Sequence, residues 1–262
     1  MAARALTADN PVVHTVPRAI VAPNPSPMTL DGTVTYVVGR RTVAIIDPGS
    51  AAREHLDALA AATVGAAIVR ILVTHDHPDH SDGAGELADR LRTAVLSLVA
   101  GTLHDGDQIA TDDGELVCVA TPGHAPDHVA FHWPAARAIF CGDLMIGGMD
   151  TSVVAAPEGD LGAYLASLER VRSLRPRIIY PAHGPAFTDP DAALDRYVSH
   201  RVQRERQVLA ALATGARDAA EITDHIYGPN LDAELREVAL GAVEAYLEHL
   251  RTAGRLPVEM TR

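Results

Sequence analysis

Thr74-His75-Asp76-His77-Pro78-Asp79-His80, read as THDHPDH, puts three histidines and two aspartates into seven positions directly after the apolar run AAIVRILV at 66–73. That run is short, β-branched and continuous, which predicts an inner strand of a sheet covered on both faces. Polar groups at the mouth of a buried strand cost desolvation free energy unless something compensates them. On an extended or turning segment His75 and His77 can converge on one point, because alternate side chains share a side. Asp79 and His80 follow a proline-constrained turn and can face a second point beside the first. Neutral imidazole and carboxylate are good zinc donors, so metal coordination would remove the objection to crowding them here. A polar loop with incidental histidines, or a helix-capping cluster, is the alternative that this spacing disfavours.

Upstream, TVTYVVGRRTVAIIDPG at 33–49 contains two β-branched runs joined by Gly39-Arg40 and reads as a hairpin ending at Pro48-Gly49. The alanine-rich stretch 51–65 reads as a helix. Downstream, Ser81 and Asp82 offer N-cap side chains for a helix near GAGELADRLR. Strand-like pieces follow at TAVLSLV, GELVCVATPG, HVAFHW and ARAIFCGD, then a helix at DLGAYLASLERVRSL and a last strand at RIIYPAHG. Two groups of strands separated by helices predict a layered α/β domain with mixed sheets. From Asp191 onward the pattern is three helices and a short terminal extension, so the expected division is a first domain over 1–190 and a helical domain over 191–262.

The composition narrows the function classes. The 262 residues are 47% hydrophobic and 21% charged, with no run of apolar residues long enough for a membrane span and no basic-then-apolar leader. Cys118 and Cys141 each sit in an apolar run and read as buried thiols, which favours a reducing, cytoplasmic setting over a disulfide framework. Net charge is −12 and every fixed cation is arginine, which argues against tight nucleic-acid binding through a broad basic surface.

More donors lie at the ends of other expected strands: His124 after ELVCVATPG, Asp143 after ARAIFCG and His183 after RIIYPA, each beside a glycine. In order and spacing, THDHPDH, TPGHAPDH, FCGD and YPAHG resemble the motifs of the metallo-β-lactamase-fold hydrolases, over nearly all of residues 30–187. The resemblance implies an αββα sandwich with the site at one edge between its sheets. It implies one metal held by His75, His77 and His124, a second held by Asp79, His80 and His183, and Asp143 bridging them. The expected cofactors are two divalent ions, zinc by ligand chemistry and resemblance, with iron or manganese also compatible with these donors. His128 reads as a structural hydrogen-bonding residue rather than a ligand, and His132 as a strand residue. His14, His55, His104, His225 and His249 have no motif context and read as surface or satisfied residues.

Two such ions can share a water and hold it as hydroxide for attack, with Asp79 placed to orient it and accept its proton. The N-terminal APNPSPMTLDGTVTYVVG and the tail from RYVSHRVQRERQVLAAL resemble the branch that contains β-lactamase-like protein 2, whose C-terminal domain is winged-helix-like. Activities in this branch leave three readings open. The favoured one is hydrolysis of a small ester, thioester or lactone, with His200 and Arg201 closing the cleft or binding a substrate anion. The second is cleavage of single-stranded RNA, supported by Arg196, Arg201, Arg204 and Arg206 but not by the 4% aromatic content. The third is a ligand-responsive regulator whose tail binds DNA. Penicillin hydrolysis is not expected, because exported class B enzymes generally lack an aspartate bridge such as Asp143.

Overall fold

The computed structural model describes residues 16–256. The first sheet contains β1 (Arg18–Val21), β2 (Val34–Val38), β3 (Thr42–Ile46), β4 (Ile68–Leu72) and β5 (Val95–Leu96), hydrogen-bonded in that order. Helices α1 (Arg53–Ala62) and α3 (Ala84–Leu91) lie between its strands in sequence, with the single turn α2 (Pro78–Ser81) directly after the histidine-rich stretch. The second sheet is built from β6 (Gln108–Ile109), β7 (Leu116–Ala120), β8 (Val129–Trp133), β9 (Ala138–Phe140) and β10 (Ile178–Tyr180), in the order β10-β9-β8-β7-β6. Helix α4 (Leu161–Ser173) precedes β10, and α5 (Pro190–Ala213), α6 (Ala219–Tyr227) and α7 (Ala233–Thr252) follow it.

Strand alternation makes four layers out of these elements. Tyr36, Val38, Ala44, Ile46 and Leu72 face Val129, Phe131, Trp133 and Phe140 in a core between the sheets. Their sequence neighbours Val37, Val43, Ile45 and Ile71 point the other way, onto Leu56 and Leu59 of α1 and Leu87 of α3. On the far side, Ala130, Ile139 and Ile179 pack with Tyr164 and Leu168 of α4, Tyr197 and Val208 of α5 and Tyr246 of α7. A period of two with both faces apolar is what a sheet covered on both sides requires. The expected αββα architecture is therefore present, and the tail helices share a continuous apolar cluster with the second sheet. No strand follows α5 among the described residues, so no β-hairpin wing is seen there.

Pairing directions place the site. β3, β4 and β5 are parallel, so Asp47 and the loop carrying His75 leave from one edge. β7 and β9 are each antiparallel to β8, and β10 is parallel to β9, so the loops carrying His124, Asp143 and His183 share an edge as well. Val129 N–H donating to Thr74 O at 2.8 Å and Val34 N–H donating to Ala182 O at 2.7 Å bring the two edges together.

Three local expectations differ from the structure. Ser81 and Asp82 do not cap α3: Ser81 ends α2 with Oγ donating to His77 O at 3.1 Å, and Gly83 occupies the N-cap with no side-chain bond. The extra turn intervenes because Pro78 starts a helix of its own. β4 is buried only at its site end, for Ile68 and Arg70 are exposed while Ile71 and Leu72 are fully buried. TAVLSLV contributes only two strand residues, and β1 and β6 carry too few strand formers to stand out in sequence.

His55 is neither a surface residue nor a satisfied one. Thr35 Oγ1 donates to Asp47 O at 2.7 Å, so at 3.0 Å from it the Nε2 of His55 is the donor, and Nδ1 is buried without a partner. Burial lowers its pKa. A depressed folded pKa means stability is fully present above the unfolded value near about 6.5 and is lost as pH falls below it toward the folded value. Urea midpoints at pH 7.5 and 5.5 should therefore differ less for His55→Gln than for the parent, and equal differences would refute this source of acid sensitivity. Both cysteines are buried free thiols, and no helix among the described residues is long and apolar enough to cross a membrane.

Candidate metal centre

The folded chain gathers all seven residues singled out in the sequence into two adjoining groups. His75, His77 and His124 form one, and Asp79, His80, Asp143 and His183 the other, the donor atoms of each group lying within 4.8 Å of one another. His75 and His77 come from the loop after β4, Asp79 and His80 from α2, and the remaining three from the loops after β7, β9 and β10.

Hydrogen bonding decides which nitrogen each imidazole presents. His77 Nε2 lies 3.0 Å from Glu158 Oε2 and donates to it, which leaves Nδ1 as a lone pair. His124 Nδ1 donates to Val153 O at 2.7 Å, freeing Nε2. Thr74 Oγ1 donates to Asp47 Oδ2 at 2.8 Å and so accepts from His75 Nδ1 at 3.1 Å, freeing the Nε2 of that ring too. Three lone pairs then face one another, with His75 Nε2 at 2.9 Å and His124 Nε2 at 3.1 Å from His77 Nδ1. Neutral nitrogens so arranged repel, and a cation between them resolves the repulsion.

The second group carries the same signature. Asp47 Oδ2 accepts from His80 Nδ1 at 2.9 Å, so His80 Nε2 is an acceptor. It lies 3.4 Å from Asp143 Oδ1, and His183 Nε2 lies 3.2 Å from Asp79 Oδ2 and 3.3 Å from Asp143 Oδ1. These are near contacts without hydrogen-bond geometry. His80 Nε2, His183 Nε2 and Asp143 Oδ1 are all buried and unpartnered. Buried orphan polar atoms aimed at one point fit a divalent ion, and nitrogen with carboxylate oxygen is a suitable donor set for one. Asp143 faces both groups, for its other oxygen, Oδ2, is 3.7 Å from His124 Nε2.

Electrostatics agree with the geometry. Burial lowers the pKa of His75 and, with nearby His80 and His128, holds it neutral. Burial would raise the carboxyls of Asp79 and Asp143, but the imidazole of His183 beside the first and that of His80 beside the second hold both below their ordinary values.

His128 takes the structural part expected of it. Its Nε2 accepts the Asp143 N–H at 3.1 Å and its Nδ1 donates to Thr121 Oγ1 at 2.8 Å, while burial drives its pKa down to about 3. Gly142 makes this contact feasible: at φ +50 any Cβ would stand 2.7 Å from His128 Nε2. His132 is a half-buried strand residue, His104 and His225 are exposed, and His249 lies 3.8 Å from Glu205. His14 falls outside the described residues.

Two supporting groups were not singled out in the sequence. Asp47, at the end of β3, binds Thr74 through N–H and hydroxyl and orients His80; an aspartate closing the buried run VAII was the available signal. Glu158 had none, being 81 residues from His77. Outer partners that orient a ligand typically contribute 10–100-fold in metal affinity. Because the Glu158 side chain is 59% exposed, Glu158→Ala should weaken metal binding by about 10-fold, the lower end of that range. Competition with a chromogenic chelator reads this, and an unchanged affinity would remove Glu158 from the centre.

Of the residues expected to contact substrate, Arg201 is 4% exposed, sits 4.7 Å above the Tyr164 ring and donates to Ser152 O at 2.5 Å. His200 is half-buried beside it. The four arginines do not form one face: Arg196 pairs with Asp150 at 2.9 Å, Arg201 is internal, Arg204 lies over the Tyr227 ring and Arg206 is exposed. The reason is helical phase, since positions 196 and 206 of α5 lie away from the side that carries 201 and 204.

The cleft over the two groups holds about 160 Å³ and is lined by His124 and Asp143 together with Met28, Leu30, Ile146 and Met149. An apolar body with its reactive bond over the donor cluster fits such a cleft.

The profile of the metallo-beta-lactamase superfamily matches residues 28–98 and 95–183. The chain is 37% identical over 211 residues to the Lactamase-like protein adaB of Aspergillus niger, covering 77% of this chain and 65% of that one, so it spans about two thirds of that relative's length. It is 31% identical over 249 residues to the Beta-lactamase-like protein 2 homolog of Caenorhabditis elegans, with 88% and 82% covered. Similarity to an Atrochrysone carboxyl ACP thioesterase of Aspergillus chevalieri reaches 32% over 255 residues, with 90% and 80% covered. In fold it resembles a Beta-lactamase domain protein from Burkholderia ambifaria, with TM-score 0.78, 23% identity and 97% and 92% covered.

Proposed function

The chain belongs to the metallo-beta-lactamase superfamily, and from that premise we propose that it is a metal-dependent hydrolase of small thioesters or related esters and lactones. The observation that carries this reading is the convergence of unpaired imidazole nitrogens and carboxylates on two adjoining points beneath an apolar cleft. His75, His77 and His124 would hold one ion, Asp79, His80 and His183 the other, and Asp143 both. Zinc suits this donor set best. When bound, the ions supply Lewis acidity and a water of lowered pKa.

The protein's own part is positioning and proton handling. Asp79 is kept ionised by the adjacent His183 and His80, and its side chain is 29% exposed, so its carboxylate is available to orient a water and take its proton. Asp47 and His128 lock His80 and the Asp143 backbone in place, limiting reorganisation during reaction. Met28, Leu30 and Met149 exclude water from an acyl chain lying across the cleft. The Aspergillus chevalieri relative, named for a carrier-protein thioester, favours a thioester over a lactam. Two buried free thiols suit a reducing, cytoplasmic setting.

The arginine group behind the RNA reading is broken up by Asp150 and by burial of Arg201. In the tail, Arg217, Arg236, Arg251 and Arg255 are paired with Glu221, Asp224, Glu248 and Glu205, which leaves little cationic surface for duplex DNA. The test is turnover by zinc-loaded protein of acyl thioesters, lactones and a labelled single-stranded RNA, with Asp79→Ala in parallel. Thioester or lactone hydrolysis lost in the variant is the expected result. RNA cleavage lost in the variant, with inert thioesters and lactones, would replace this reading with a nuclease.

A further inference from the structure

Beside the metal cleft lies a second, half-open cavity of about 310 Å³, lined by residues of α5, α6 and α7 and of the segment 151–154. Thr151, Ser152 and Val153 line both cavities, so a ligand crossing this short strap passes from one into the other. The strap is anchored on each side: Ser152 Oγ donates to Asp143 O at 2.6 Å, and Ser152 O accepts from Arg201. Large apolar side chains stand unusually exposed around the pair, with Met28 at 54% and Met149 at 46% on the cleft and Leu235 at 56% and Val238 at 37% on the second cavity. Exposed apolar residues gathered on adjoining concavities mark a contact surface for an apolar body.

The opposite wall of the second cavity is cationic. Arg201 and Arg204 both line it, one helical turn apart. Arg204 is held over the Tyr227 ring at 4.4 Å, Arg201 over the Tyr164 ring, and among the described residues neither guanidinium is paired with a carboxylate. The nearby acids are engaged elsewhere, Asp150 with Arg196 at 2.9 Å and Glu205 with Arg255 at 2.7 Å. Arg201 Nε and His200 Nδ1 are buried without hydrogen-bond partners among the described residues. In a chain of net charge −12, two unneutralised guanidiniums in one cavity are a local exception, and an enclosed charge is stabilised by a counter-ion.

The geometry points to this cavity as a second substrate subsite, which takes an oxyanion carried on an apolar chain, with Arg204 as the contacting cation and Arg201 behind it. This rests on the hydrolase reading of the cleft. In a thioester the oxyanion has two sources, a carboxylate on the acyl chain or a phosphate on the thiol arm. Arg204 recognises either by the same charge-assisted hydrogen bonds.

Titration calorimetry on full-length, metal-loaded protein separates them. The probes are octanoate against octanamide, and 4′-phosphopantetheine against pantetheine. At least one anionic probe should bind about 10-fold or more tighter than its neutral counterpart, and Arg204→Ala should remove that difference. Arg206→Ala, exposed and outside the cavity, should leave it unchanged, and Val238→Trp at the rim should weaken binding of both members of the pair. Octanoate alone responding assigns the anion to the acyl chain, and phosphopantetheine alone assigns it to the arm. An anion that binds only at the metals would be insensitive to Arg204→Ala, and that result, or equal affinity for charged and neutral probes, overturns the subsite. Arg204-dependent binding with no thioester turnover would keep the subsite and reject the hydrolase reading. Turnover without Arg204-dependent binding would do the reverse.

Discussion

Replacing His183 by alanine is expected to lower bound metal from about two equivalents to about one and to cut turnover by more than about 100-fold. The magnitude follows from where the side chain sits. His183 is fully buried, its Nε2 lies within 3.3 Å of both Asp79 and Asp143, and it has no hydrogen-bonded partner to strand when it is removed. The loss should therefore appear in the second ion with little effect on the fold. The three-histidine group keeps all its donors, so one equivalent remains. His80→Ala is the harsher companion, because it also leaves Asp47 Oδ2 without the Nδ1–H at 2.9 Å and should destabilise the protein by about 1–3 kcal/mol in addition. Elemental analysis of dialysed protein reads the stoichiometry, and the thermal shift on adding zinc reads the affinity through linkage. Unchanged metal content and activity in both variants would refute the second group as a metal site.

Gly49→Ala should do nearly as much damage without touching a donor. A Cβ at Gly49 would stand 1.7 Å from Asp79 O and 2.7 Å from its carbonyl carbon, with Thr33 Cγ2 at 2.9 Å behind. The contact is with backbone, so no rotamer change relieves it. The turn carrying Asp79 and His80 must shift instead, breaking the bond from Thr33 Oγ1 to Asp79 O at 2.8 Å. Overpacking costs about 1–3 kcal/mol, and an overlap this deep belongs at the top of that range or above it. The expected outcome is a stability loss of about 3 kcal/mol together with weakened binding of the second ion. Gly85→Ala is the control: nothing lies within 4 Å of its added Cβ, and in a helix the change should stabilise by about 0.5–1 kcal/mol. Urea denaturation of both variants checks the pair, and a Gly49→Ala protein as stable and metal-competent as the parent would mean the turn is more plastic than its packing implies.

The longer strands were legible because their pattern is local. β2, β3, β7 and β8 are runs of β-branched and aromatic residues bounded by turn signals. β1 and β6 were not legible at that level, and β5 keeps only two residues of the run TAVLSLV, since such short strands exist only through the neighbour they pair with. The turn α2 was missed for a related reason. A single helical turn is not stable alone and is held here by the core and by Thr33.

The sequence by itself determined the family resemblance and the seven donor residues that the fold brings together. Imidazoles and carboxylates stand at the ends of apolar strands in THDHPDH, TPGHAPDH, FCGD and YPAHG, and the short-range spacing of donors along a chain needs no knowledge of distant contacts. Only the tertiary structure decided how those donors are held and what surrounds them. Glu158 orients His77 from 81 residues away, Asp47 orients His80 from 33, and Asp150 takes Arg196 out of the arginine group from 46. These pairs carry no local signature because their partners meet only when two sheet edges and the tail helices close on one another. The direction in which each α5 arginine points is likewise set by which face of that helix the second sheet buries, a choice made by packing free energy over the whole core rather than by any neighbour in sequence.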